Sequence, residues 1–164
     1  MQNRGMNPEK FAWVPNGFLK EEVEGATPLE QHTLDQLPKD KFIIGYAGTL
    51  GIANALDSFV KAASQLKDYS DIAFVLVGQG KLKSALQQQV ADLNLNNVYF
   101  VDPIPKKQVQ SLLQHFDVCY IGLTKDPLFR FGVSPNKLFD YLYAGKPILY
   151  AIDSGRYTPV ADAK

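Results

Sequence analysis

An α/β fold, a Rossmann-like doubly wound parallel sheet with helices on both faces, is predicted by three features of this 164-residue chain. Short apolar runs alternate with stripes of apolar residues at three- and four-residue spacing. The runs are apolar at successive positions, so both faces of each strand are buried, as happens when helices cover a parallel sheet on each side. Several strands end in glycine-bearing loops, at the edge of the sheet where ligands bind in folds of this kind.

The elements follow in order. Phe42-Ile43-Ile44-Gly45-Tyr46-Ala47 reads as a first strand, and Leu56, Phe59, Val60, Ala63 and Leu66 mark the helix after it. Ala73 to Val77 forms a second strand, and Leu82, Ala85, Leu86, Val90 and Leu93 a second stripe. Asn97 to Val101 is a third strand, followed by a helix through Val109, Leu112, Leu113 and Phe116. Val118 to Leu123 is a fourth. A helix then begins near Pro135, with Ser134 as its cap, Pro135 at its first position and Leu138, Tyr141 and Leu142 as its apolar face. Pro147 to Ile152 makes a fifth strand. Right-handed crossovers complete the doubly wound arrangement.

Residues 18–40, rich in Glu, Pro, Thr and Gln, read as an exposed excursion. The opening Pro8 to Gly17 resembles a strand and turn entering from elsewhere, and little follows Ile152, so residues 1–164 are read as one domain of a longer protein.

Composition narrows the function. Seventeen basic and seventeen acidic residues cancel, which leaves no electrostatic footprint for nucleic acid. No apolar stretch approaches the ~20 residues of a spanning helix, and the N-terminal Met1 to Gly5 is not a signal peptide. The single Cys119 lies in an apolar run and reads as a buried thiol in a reducing compartment. A cytoplasmic protein is expected. His32 and His115 lack metal-like partners, so no metal site is expected.

The segment from Ser134 to Pro147 is the most informative. Asn136, Lys137 and Asp140 share a polar face of its helix. Lys137 falls in the first turn, where the helix dipole disfavours a cation. An anion bound beside the free backbone N–H groups would account for it. Asp140, one turn deeper, is placed to accept hydrogen bonds from hydroxyls of the same ligand. Phosphate and sugar hydroxyls together point to a nucleotide. The plain alternative is a surface ion pair between Lys137 and Asp140, in the less favourable order along the helix. Gly48-Thr49-Leu50-Gly51 and Gly78-Gln79-Gly80-Lys81 each join a strand to a helix. They read either as phosphate-approaching loops or as tight turns that require glycine. Phe129, Arg130 and Phe131 read either as part of a ligand lid or, for the two rings, as staples to the core.

These motifs resemble the C-terminal, donor-binding domain of retaining nucleotide-sugar glycosyltransferases, one half of a GT-B fold. The likeness is to the group 1 type that builds bacterial capsule, O-antigen and lipopolysaccharide chains. It runs through Val14-Pro15-Asn16-Gly17, Tyr46 to Gly51, Phe74 to Gly80 and the 134–147 segment, which is its most specific part. The resemblance implies that Asp140 binds ribose hydroxyls and that Ser134, Asn136 and Lys137 surround the diphosphate and donor sugar. It implies that Gly48, Thr49, Leu50 and Gly51 pass the diphosphate, with Gly78 and Gly80 in the neighbouring turn. Val101, Pro103 and Ile104 fall where the family holds the base. Lys137 and Arg130 take the catalytic role of stabilising the leaving diphosphate.

A UDP-linked sugar as co-substrate, no cofactor and no metal are implied. The implied partners are the donor, an N-terminal acceptor domain of the same protein and, through a lipid-linked acceptor, the inner face of the membrane. Two departures stand out. Gly132 occupies the position, eight before Asp140, where the family commonly has a sugar-contacting glutamate. No cation follows the first glycine loop, where many members carry an arginine and a lysine. A nucleotide-sugar epimerase or hydrolase of the same fold, or a non-catalytic nucleotide-binding module, are the alternative readings. The first calls for clustered acid–base groups at the strand ends, and only Asp102, Asp126 and Asp140 are found there.

Overall fold

The computed structural model describes residues 5, 7–10, 12, 16–17, 20–155 and 160, and of residues 8, 22, 23, 130 and 131 the backbone alone. Strands β1 (Phe42–Ala47), β2 (Ile72–Val77), β3 (Val98–Val101), β4 (Val118–Gly122) and β5 (Ile148–Ala151) form one parallel sheet in the order β3-β2-β1-β4-β5. The helices are α1 (Lys20–Glu24), α2 (Gln31–Gln36), α3 (Leu56–Gln65), α4 (Lys83–Asp92), α5 (Val109–Leu113) and α6 (Asn136–Tyr143). The order runs outward in both directions from β1, so the switch in strand order falls between β1 and β4.

Alternation along the strands builds two cores. Ile43, Val75, Val77, Cys119 and Ile121 pack with Leu112, Leu113, Leu138 and Tyr141 on one face. Ile44, Tyr46, Phe74, Leu76 and Tyr120 pack with Leu56, Phe59, Val60 and Leu86 on the other. Each large side chain removed from water contributes roughly 1.5–3 kcal/mol before chain entropy is subtracted. Cys119 is buried, and burial pushes its thiol up to about 12. Buried Asn97 stops α3 by donating from Nδ2 to the carbonyls of Ala63 (3.0 Å) and Leu66 (3.4 Å). Among the described residues no helix is long and apolar enough to cross a membrane.

The structure departs from the sequence reading in five places. The excursion expected over 18–40 is not exposed throughout. Residues 31–36 form α2, and Leu29, Thr33 and Leu37 are buried. The 42–47 run leads into the loop as expected, but a 3-10 turn (Ile52–Asn54) and a left-handed Ala55 (φ 48°) separate that loop from α3. The third helix ends at Leu113, and Phe116 reaches the core from the turn beyond. It lies over Gly45, where a Cβ would strike its ring. Helix α6 begins one residue later than expected, with extended Pro135 as its cap and Ser134 outside it, making no side-chain capping bond. Leu138 and Tyr141 are buried, but Leu142 is 41% exposed. It stands at the edge of the stripe, turned away from the sheet that Leu138 and Tyr141 cover.

Candidate functional site

A cavity of about 480 Å³ opens at the carboxyl ends of β1, β2 and β3, within the range typical of small-molecule sites. Ala47, Gly48 and Thr49 leave β1 along one side, and Val77, Gly78 and Gln79 leave β2 beside them. Pro103 and Ile104 after β3 and Val109 at the start of α5 form the far wall. Lys137, Asp140 and Tyr141 of α6 close it from above and carry its charged side chains.

The two glycine loops are locked together by backbone contacts. The Leu50 N–H donates to the Gln79 carbonyl (2.9 Å), and the Leu50 carbonyl accepts from the Leu82 N–H (3.0 Å). A Cβ on Gly80 would collide with the Leu50 backbone, so that glycine is required by packing between the loops. Gly48 and Gly78 carry φ values of +146° and +141°, a region that side chains rarely adopt.

Lys137 points back along the helix toward β1. Its Nζ stands 5.4 Å from the centre of the Tyr46 ring, and its Cε passes over Gly48, where a Cβ would strike it. Burial lowers the Lys137 pKa from its ordinary value, and the Asp140 carboxylate partly restores it. Asp140 also anchors α6 to α5, its carbonyl accepting from Gln110 Nε2 (3.2 Å). The Tyr141 hydroxyl accepts from the Ala47 N–H at 3.4 Å, which ties α6 to the end of β1. Burial raises the Tyr141 pKa, so the phenol stays neutral through the physiological range. Asp102 after β3 binds Lys83 of α4 (3.2 Å), while its N–H donates to Gln36 of α2 (3.0 Å). The hydrogen bond from Lys83 is the main reason its pKa is lowered. These bonds brace the strand end from which Pro103 and Ile104 follow.

The cavity thus brings together Gly48, Thr49, Gly78, Pro103, Ile104, Lys137 and Asp140 of the residues expected from sequence. Others stand outside its lining. Leu50 is fully buried in the core, with both backbone groups engaged by the second loop. Gly51 begins the 3-10 turn and donates to the Thr49 carbonyl. Val101 is a fully buried strand residue whose carbonyl takes the Gly78 N–H (3.1 Å). Ser134 sits before the helix, its carbonyl accepting from Asn16 Nδ2 (2.8 Å), and Asn136 faces solvent. The side chain of Arg130 lies outside the described residues, as does that of Phe131.

Gly132 ends the 3-10 turn Pro127–Phe131 with φ 99° and ψ 152°, a conformation that only glycine adopts readily. The backbone demand accounts for glycine at this position, where the resemblance implies a glutamate. The sequence reading missed Ala47, Val77, Gln79, Val109 and Tyr141 as lining residues. Gln79, between two glycines already singled out, was the one with a visible signal. Among the described residues, no three His, Cys, Asp or Glu side chains gather as metal ligands.

Residues 30–157 match the family of glycosyl transferases group 1. Over 109 residues the chain is 31% identical to the putative colanic acid biosynthesis glycosyl transferase WcaI of Escherichia coli (strain K12), covering 66% of this chain and 26% of that protein. HepE from Anabaena, crystallised with UDP, superposes with a TM-score of 0.67 at 19% identity, over 94% of this chain and 42% of that one. The C-terminal domain of the glycosyl transferase group 1 family protein LpcC from Francisella tularensis gives 0.62 at 20% identity, over 83% of this chain and 72% of that one. The chain therefore spans about a quarter of the length of WcaI and under half that of HepE. The shared sheet and the family match across most of its length lead to one conclusion: this chain belongs to the glycosyl transferases group 1 family.

Proposed function

We propose that the cavity binds the nucleoside diphosphate of a UDP-linked sugar, and that this chain is the donor-binding half of a glycosyltransferase. The observation that carries the reading is the Lys137 ammonium, half-buried at the cavity wall beside Gly48, with Asp140 one turn along the same helix. A desolvated cation at a helix start is a costly arrangement without an anion to meet it. The complex of HepE with UDP supports the choice of base, and the name of WcaI supports a role in bacterial polysaccharide synthesis.

In the proposed reaction the bond from the anomeric carbon to the diphosphate oxygen breaks through an oxocarbenium-like state, as in glycoside hydrolysis. Negative charge grows on the leaving diphosphate. Lys137 and the first-turn N–H groups of α6 would stabilise it, and Arg130 is the second cation proposed for the same task. Asp140 accepts from the ribose hydroxyls, and backbone groups near Pro103 and Ile104 meet the base. Same-face attack by the acceptor, assisted by the leaving phosphate, gives retention and needs no protein nucleophile. The acceptor, a growing polysaccharide or lipid-linked sugar at the inner face of the membrane, would be held by an N-terminal domain. The hexose or amino sugar is transferred without a protein-held metal. Asp140 is the sole carboxylate of the described lining, which also contains no histidine, so an acid–base pair for epimerisation is not supported.

Calorimetric titration of the chain with UDP, GDP, ADP and uridine tests the reading. UDP is expected to bind more tightly than uridine by at least about tenfold, since charge-assisted bonds to the diphosphate dominate, and to do so in EDTA. Equal binding of UDP and uridine would remove the diphosphate from the proposal.

A further inference from the structure

We propose that Tyr46 is a positioning residue: its buried ring and the bare backbone of Gly48 form a mount that aims the Lys137 ammonium into the cavity. The Lys137 Nζ lies 5.4 Å from the ring centroid, inside the ~6 Å over which an aromatic face attracts a cation. The ring cannot turn aside freely. Tyr46 is fully buried against Tyr120, their centroids 6.5 Å apart, and its hydroxyl donates to the Thr49 carbonyl (2.8 Å). Asn54 Nδ2 donates to the same carbonyl (2.9 Å), which fixes the loop that the hydroxyl holds.

Gly48 bounds the lysine on the other side. A Cβ there would strike Lys137 Cε and come within 3.0 Å of Nζ. The long side chain is thus threaded between a fixed ring and a backbone without a side chain. Among the described residues, the charged and titratable groups around it are Tyr46 from β1 and Asp140 from its own helix, with the neutral Tyr141 hydroxyl tied to Ala47 nearby. Burial works against the ammonium, while the ring face and the Asp140 carboxylate favour it. A lysine ordered before the ligand arrives loses less conformational freedom on binding, which is how such a mount would raise affinity. The inference rests on the diphosphate reading of the cavity, but it has a readout that needs no nucleotide.

The test uses the 164-residue chain. In lysine labelled with 13C at Cε, the Lys137 signal, assigned by its loss in Lys137→Met, is expected upfield in the nucleotide-free chain because of the ring current of Tyr46. Tyr46→Phe should keep that shift and Tyr46→Leu remove it. UDP affinity should stay within about twofold in Tyr46→Phe and fall about fivefold in Tyr46→Leu. In a Lys137→Met background, Tyr46→Leu should cost nothing further. An unshifted Lys137 signal in the folded wild-type chain overturns the proposal. So does an equal loss of UDP affinity from Tyr46→Leu with and without Lys137. If Tyr46→Leu does not fold, the wild-type and Tyr46→Phe spectra decide. A shifted signal in a chain that binds no UDP would keep the mount and discard the diphosphate reading.

Discussion

Gly48 and Gly78 meet backbone to backbone: a Cβ on Gly78 would collide with the carbonyl oxygen of Gly48. This contact sets the spacing of the β1 and β2 loops, and both loops line the cavity. Gly48 in turn lies beneath Lys137, so one close approach links the second loop, the first loop and the cation.

Gly78→Ala should therefore damage stability and site together. The overpacked contact, with φ at +141°, is expected to cost about 1–3 kcal/mol, read by urea denaturation. UDP affinity should fall with it, because the Gly48–Thr49 rim must move. Gly51→Ala is the control. Its nearest neighbour, Thr49 Cγ2, would lie at an ordinary 3.5 Å from the new Cβ. Stability should change by no more than about 0.5 kcal/mol and affinity not at all. Equal damage from both substitutions would mean that any side chain in these loops is harmful, and the specific contact would lose its role.

Lys137 gives a pH signature. Its folded pKa lies below the ordinary 10.5 because of burial. Between the two values the unfolded chain holds more protons on this group than the folded chain, so its contribution makes stability rise with pH. That gain is complete above about 10.5 and is lost as pH falls through the lowered folded value. Lys137→Met lacks the effect. The variant should be at least as stable as wild type near neutrality, and its advantage should shrink toward high pH. Tyr46 and Tyr141 are present in both proteins, and burial is the main cause of their raised pKa values. UDP affinity should run the other way, falling in wild type as Lys137 deprotonates and staying lower by about tenfold or more in the variant. Melting curves and titrations from pH 7 to about 11 would read both.

Asp140 is tested by the ligand rather than by the fold. Wild type should prefer UDP over 2′-deoxy-UDP by about 1.5–3 kcal/mol, the usual value of a hydrogen bond to a charged group. Asp140→Asn should bind UDP more weakly and lose most of that preference. A wild-type chain indifferent to the 2′-hydroxyl would end the ribose assignment.

Most of the architecture was legible because the strands are apolar on both faces and the helices on one. Val75 and Val77 face one core while Phe74 and Leu76 face the other, and that pattern appears in the sequence as an unbroken run. Leu56, Phe59, Val60 and Ala63 mark α3 by spacing alone. The polar half of the site was legible for a related reason: Lys137 at a helix start conflicts with local electrostatics. What failed depends on tertiary neighbours. Leu50 reads as a loop residue, but it is drawn into the core while its N–H is taken by Gln79. Tyr141 reads as core, and it is, but its hydroxyl also reaches Ala47 at the cavity. Leu142 has the right spacing, but the stripe on α6 is narrower than spacing implies. Leu29, Thr33 and Leu37 lie in a polar stretch with weak period, and only the packed structure shows them buried.

Gly132 offers the sharpest test of a backbone argument. The family resemblance implies a glutamate eight positions before Asp140, and restoring it is the obvious experiment. The position, however, holds φ 99° and ψ 152° at the end of a 3-10 turn, where its N–H closes onto the Phe129 carbonyl (2.9 Å). A residue with a Cβ pays about 1–3 kcal/mol for that conformation. Gly132→Glu and Gly132→Ala should therefore be destabilised by similar amounts in chemical denaturation, because the cause is the Cβ and not the carboxylate. The glutamate variant should also gain no preference for UDP-sugar over UDP, since a strained turn does not hold its side chain in a defined place. If Gly132→Glu were as stable as wild type, the turn would be adaptable, and glycine at this position would need another cause.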